Sequence, residues 1–136
     1  MILDFDRQLL KEVLSLKLPY KVKVGSLTTN DSIAISSLPG GVTVRSFFDG
    51  VEDKQLPFEI SIKVNSDQQQ ASESLNLIAQ HLEQLDAMQS DNGSFDFSDI
   101  KIASAPFVAY VDEKNNWIYV TNITADLTVY NRKEDK

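Results

Sequence analysis

Few side chains in this chain could carry catalysis or bind a transition metal. The chain has no cysteine and a single histidine, His81. The absence of cysteine excludes disulfides, zinc ribbons and thiol nucleophiles, and one histidine cannot form the histidine pair of a zinc protease. His81 lies among apolar positions of a predicted helix, so we interpret it as an exposed or half-buried helix residue.

Carboxylates are plentiful, and they gather in two segments that could bind a cation or act in pairs. DGVED, residues 49–53, and DNGSFDFSD, residues 91–99, each contain three acids. Neither segment has the alternating acids, central glycine and distal glutamate of a calcium loop, and nothing selects one pair for glycoside hydrolysis. We therefore expect solvated acidic loops, no cofactor, no required metal and no enzymatic activity. A small enzyme that uses exposed carboxylates remains an alternative.

The clearest order in the chain is a strand pattern that runs directly into a helix pattern, in LPFEISIKVNSDQQQASESLNLIAQHLEQL, residues 56–85. A strand-to-helix junction can bind a phosphate at the helix N-terminus. This junction has no glycine to let the backbone approach an anion, and Asp67 already puts a negative charge there. We interpret the junction as scaffold, with Asn65 or Ser66 as the helix N-cap.

The elements that must position these residues follow from the apolar periodicity. Two helices are predicted, at residues 4–17 and 67–88, and the second is long enough to cover a sheet. Its predicted core stripe is Ala71, Leu75, Ile78, Leu82 and Leu85. Alternating segments at 20–25, 32–36 and 41–48 predict a meander of short antiparallel strands. Later segments predict a polar loop at 49–57, a strand at 58–64, a polar loop at 89–99, one strand or two broken at Pro106, a hairpin connection at 113–116 and a final strand at 117–130.

These elements predict one α+β domain over residues 1–136, with a mainly antiparallel sheet packed against an N-terminal helix and one long central helix. Residues 131–136 are predicted to be a frayed polar tail. Hydrophobic residues make up 42% of the chain, enough for a core, and the formal net charge is −7. That charge disfavours binding of nucleic acid phosphates and anionic lipids. With no signal peptide and no apolar run of membrane-spanning length, we expect a soluble cytoplasmic protein.

Four phenylalanines and one arginine form the candidate interface for self-association. Phe47 and Phe48 lie in a predicted strand and its edge, and Phe95 and Phe97 lie in a predicted polar loop. Aromatic residues and arginine commonly anchor protein interfaces, and Arg45 is the lone charge of VTVRSFF. The alternatives are that the phenylalanines belong to the core of a monomer and that Arg45 only projects into solvent. Adjacent strand residues point to opposite faces, so one of Phe47 and Phe48 should be in the core.

The element order, with PFEISIKVNSDQQQASESLNLIAQHLEQL and the closing WIYVTNITADLTVY, resembles a family of small tailed-bacteriophage proteins, the minor capsid or tail terminator-like proteins. The resemblance spans most of the chain and is one of pattern and length. It implies a non-enzymatic subunit of a ring, typically hexameric, that caps the tail tube and joins it to the head. It also implies contacts with other tail and head–tail connector proteins, assembly in the host cytoplasm and a place in the virion. The alternative is a small acidic cytoplasmic chaperone or adaptor for a secreted protein.

Overall fold

A computed structural model of the protein describes residues 2–27 and 31–130. Its elements confirm the α+β class. In chain order they are α1 (Phe5–Leu14), β1 (Lys21–Val24), β2 (Ser32–Ser37), β3 (Val42–Ser46), β4 (Val51–Val64), α2 (Gln68–Glu83), β5 (Phe95–Val111) and β6 (Trp117–Tyr130). Neither of these helices is long and apolar enough to cross a membrane. The predicted frayed tail lies outside the described residues.

The long strands β4 and β6 form the centre of a six-stranded sheet. Five strands follow the order β1-β2-β4-β6-β5, and the sixth, β3, pairs with β4. They pair antiparallel along their whole length, from Val51 opposite Tyr130 to Val64 opposite Trp117. On the outer edge of β4, β2 pairs with the C-terminal half and β3 with the N-terminal half. β5 pairs with the other edge of β6.

The predicted antiparallel meander is wrong in its pairing. β1 and β2 run parallel, and β3 pairs with β4 rather than with β2. The backbone at both ends of the β1–β2 connection is left-handed, at Gly25 (φ 117°) and Asp31 (φ 60°). The chain bends at both of these residues.

Two segments predicted as polar loops are partly strand, at residues 51–57 of the first and 95–99 of the second. β4 begins at Val51 and β5 at Phe95. The first half of β4 has polar residues on both faces, such as Glu52 and Asp53, and therefore lacks the alternation that marks a half-buried strand. Hydrogen-bonded neighbours on both of its edges hold it in the sheet. β5 continues through Pro106 as one strand with shifts in register.

Both helices pack on one face of the sheet and form the core with it. The Phe5 ring of α1 lies 5.2 Å from that of Phe58 on β4 and 5.3 Å from that of Phe95 on β5, between ring centroids. The predicted stripe of α2 is confirmed for its four members within the helix. These are Ala71, Leu75, Ile78 and Leu82, all fully buried.

The long central helix is shorter than predicted at its C-terminal end. α2 has 16 residues and ends at Glu83, with Gln84 as its C-cap. The backbone N–H of Leu85 donates a hydrogen bond to the carbonyl of Leu82 at 3.3 Å. Leu85 and Met88 still pack against the core from the following segment, which explains why the apolar pattern outlasts the helix. At the other end the N-cap is Asp67 rather than Asn65 or Ser66, because its carboxylate accepts the Gln70 N–H at 2.9 Å.

A buried carboxylate joins the start of α1 to the loop before β5. Asp4 is 5% exposed and accepts hydrogen bonds from the hydroxyl of Ser90 at 2.6 Å and that of Ser94 at 2.9 Å. The backbone N–H of Asp91 donates to it at 2.8 Å and the Gln8 amide at 3.0 Å. Segments that are far apart in sequence are thus fixed beside each other at one end of the core.

Candidate assembly surfaces

The β3–β4 hairpin carries the most exposed aromatic residue in the described part of the chain. Phe47 and Phe48 lie in the turn between the two strands, which is closed by hydrogen bonds from Phe47 N to Val51 O (2.9 Å) and from Gly50 N to Phe47 O (3.2 Å). Phe48 is fully exposed and Phe47 is 46% exposed. The prediction that one of the two lies in the core is wrong, because a turn does not alternate its side chains between two faces as a strand does.

Arg45 lies on β3, next to this turn, and its side chain is exposed. It is opposite Asp53 in the β3–β4 ladder, but the Asp53 carboxylate accepts a hydrogen bond from the Thr128 hydroxyl at 2.7 Å. Arg45 forms no ion pair with any carboxylate in residues 2–27 and 31–130. Residues 45–49, which we call the hairpin tip, therefore present a guanidinium beside two exposed aromatic rings.

The other two predicted interface residues do not join the hairpin tip. Phe95 is 3% exposed and meets Phe5 edge to face, so it is a core residue of the monomer. Phe97 is half-buried against the same core. Both lie on β5, which is separated from β3 by β4 and β6. The structure thus brings together Arg45, Phe47 and Phe48, and it separates them from Phe95 and Phe97.

A second exposed apolar surface, which the sequence analysis did not identify, lies at the far end of β5. It comprises residues 107–111, FVAYV, which we call the distal β5 segment. In the order of the sheet β5 is an edge strand, and the large side chains of this segment are roughly half exposed: Phe107, Val108, Tyr110 and Val111. A continuous apolar run is typical of a strand buried on both faces, whereas an exposed apolar edge indicates a site of association.

Beside the distal β5 segment, the turn between β5 and β6 forms an open hollow. The residues that line it are Lys63, Val111, Asp112, Glu113 and Lys114. We call it the tip hollow. Hydrogen bonds from the side chain and backbone of Asn116 lower the pKa of Asp112, so this carboxylate remains ionised at neutral pH. Glu113 is exposed and has no hydrogen bond or ion pair among the described residues.

The face of the sheet opposite the helices carries charges of both signs. The cross-strand register places five carboxylates on this helix-free face, which are Asp53, Glu59, Asp96, Asp99 and Asp126. By the same register, five cations lie on it as well: Lys21, Lys23, Arg45, Lys63 and Lys101. Asp99 and Asp126 lie directly opposite each other, and the Lys101 ammonium lies 3.9 Å from the Asp126 carboxylate. Within residues 2–27 and 31–130, no group of three histidine or carboxylate side chains could hold a metal ion.

A family model described as bacteriophage tail terminator protein matches residues 22–129. The match runs from β1 to the end of β6 and so includes both the hairpin tip and the tip hollow. No curated protein matches the chain.

Proposed function

Because this chain belongs to the bacteriophage tail terminator protein family, we propose that it forms the ring that caps the tail tube and joins it to the head. The family is a structural one, and a structural role in the phage tail is the function that follows directly from membership. The ring, its typically hexameric order and its place at the head–tail joint are the proposal. The family match is the observation that carries it.

The distribution of exposed apolar residues supports assembly into a ring. The hairpin tip and the distal β5 segment are different surfaces. A contact between unlike surfaces is heterologous, and it yields a ring if the rotation between neighbours closes and a filament if it does not. A single self-complementary surface would instead give an isologous, closed dimer. The two exposed surfaces of this chain therefore suit a ring better than a pair.

The acidic balance of the protein supports its position around a DNA conduit. The formal net charge is −7. A negatively charged wall repels phosphates and does not hold the passing DNA. We propose no direct sequence-specific contact with nucleic acid and no contact with a membrane. The proposed partners are copies of the same chain, other tail proteins and the head–tail connector proteins.

The experiment that tests this function is to quantify the protein in purified virions. Mass spectrometry with isotope-labelled peptide standards measures copies per particle against a major tail protein. The proposal expects the chain in every preparation at about six copies per particle, the usual order in its family. A virion that lacks the protein would overturn the proposal. So would its recovery only from the cytoplasm, bound to a secreted protein, and this result would favour the chaperone alternative.

A further inference from the structure

The two turns that carry exposed apolar residues project from opposite ends of the molecule. The hairpin tip lies just before Val51, at the end of the central ladder where Val51 pairs with Tyr130. The tip hollow lies between β5 and β6, at the end where Val64 pairs with Trp117. Fourteen strand residues separate these ends, a length of roughly 46 Å. The two surfaces of one molecule therefore cannot meet each other.

The chemistry of the two ends is complementary. The hairpin tip offers the ring of Phe48 and the guanidinium of Arg45, which has no ion pair within residues 2–27 and 31–130. The tip hollow offers the side chain of Val111 as an apolar wall and the carboxylate of Glu113. A guanidinium and a carboxylate form a strong charge-assisted hydrogen bond, and aromatic rings that pack on apolar side chains are common interface anchors.

A second pair of charges has the same complementarity. Asp49 flanks Phe48 on the hairpin tip, and Lys114 lines the hollow. The contact of tip with hollow pairs Arg45 with Glu113 and Asp49 with Lys114 at the same time.

From this complementarity we infer that the hairpin tip of one copy docks into the tip hollow of the next copy. The inference rests on the proposed function and specifies the surfaces that join the ring. Phe48 packs beside Val111, and Arg45 pairs with Glu113. Each copy uses both of its ends, so every copy in a closed ring contacts two neighbours through the same interface.

Cross-linking tests the contact directly, because the chain contains no cysteine. A variant with Phe48→Cys and Val111→Cys, incorporated into virions in place of the natural protein, is treated with a short bismaleimide. On a reducing denaturing gel it should give a ladder that reaches the full ring. Each single variant should remain monomeric. The matched control, Leu77→Cys with Val111→Cys, should remain monomeric too, since Leu77 is equally exposed but lies on α2.

The outcomes separate this inference from the proposed function. If the doubly substituted protein is present in virions and remains monomeric after treatment, the inferred contact is wrong and the ring proposal stands. If the natural protein is absent from virions, the ring proposal is wrong, and the inferred contact is wrong with it. If the cysteine pair prevents incorporation, a charge exchange decides the question.

In the charge exchange, Arg45→Glu or Glu113→Arg alone should lower the yield of infectious particles at least about tenfold, because like charges then meet. The two substitutions together should restore the yield to near that of the natural protein. No recovery in the double variant, with each protein folded by circular dichroism, would overturn the contact.

Discussion

Asp4 is a buried carboxylate whose hydrogen-bond donors among the described residues are all uncharged. Burial alone raises its pKa, but hydrogen bonds from Ser90, the Asp91 backbone, Ser94 and Gln8 outweigh that effect and hold the pKa at about 2. Donors to the charged form favour it over the neutral acid. The group therefore stabilises the folded state only while it is ionised.

The pH dependence of stability follows from this lowered pKa. The ordinary value is 3.8 and the folded value is about 2, so the stabilisation is complete above pH 4 to 5 and is lost as the pH falls through about 2. We predict that Asp4→Asn costs roughly 2 kcal/mol at pH 7 and that the natural and variant proteins converge near pH 2. Urea unfolding between pH 7 and pH 2 measures this difference.

The control for that prediction is Asp86→Asn. Asp86 is exposed and has no hydrogen bond among the described residues, so its substitution should change the free energy of unfolding by less than about 0.5 kcal/mol. A constant difference between Asp4→Asn and the natural protein over the whole pH range would contradict the role given to the Asp4 carboxylate.

The buried and the exposed phenylalanines should differ in how much they contribute to stability. Phe95→Ala removes a buried ring that contacts Phe5 and should cost about 3–5 kcal/mol. Phe48→Ala removes a fully exposed ring and should change stability by less than about 0.5 kcal/mol. Chemical denaturation of each purified variant gives both values. Similar losses for the two variants would mean that the hairpin tip packs against the monomer.

At the scale of the elements, the position of α2 on the sheet is tested by a matched pair of leucines. Leu82 is fully buried and Leu77 is 46% exposed, both within α2. Leu82→Ala should cost about 2–5 kcal/mol through the cavity that it leaves. Leu77→Ala, which has the same effect on helix propensity, should cost less than about 1 kcal/mol. Equal costs measured by thermal or urea unfolding would show that α2 does not dock through this stripe.

The elements also show which parts of the fold can be predicted from the sequence. The β6 strand was predicted at its observed bounds, because Ile123 and Leu127 alternate with Thr124 and Thr128, and only one face of that strand meets the helices. The buried stripe of α2 was predicted for the same reason. Periodicity reports burial on one face, and it succeeds where burial is one-sided.

That periodicity does not encode the direction in which strands pair or the exposure of side chains in the turns at strand ends. Nothing in the alternation of β1 shows that it runs parallel to β2, since alternation reports which face is buried and not the direction of the neighbouring strand. For the candidate site, the exposure of Arg45, Phe47 and Phe48 depends on the turn that contains the two rings. The sequence suggested these three as interface residues, but it gave no sign that Phe95 would instead be covered by Phe5 of α1.

On the scale of the whole molecule, the central ladder of β4 and β6 gives the protein two distinct ends. One end carries the hairpin tip, the other the tip hollow and the distal β5 segment. The formal net charge of the chain is −7. Unlike ends suit assembly into a ring, and a net negative charge suits a wall along which DNA moves without being held. Both features agree with a structural role in the phage tail.

The most direct test of the central claim is to locate the protein in intact virions. A short peptide epitope added to one chain terminus, with the tagged protein replacing the natural one, allows labelling with antibody-coated gold and imaging by electron microscopy. The account predicts gold at the junction of head and tail in most labelled particles, and none on untagged virions. Gold distributed along the tail tube or at the distal tip would contradict it. So would the absence of label from tagged virions, if an immunoblot also fails to detect the protein in them.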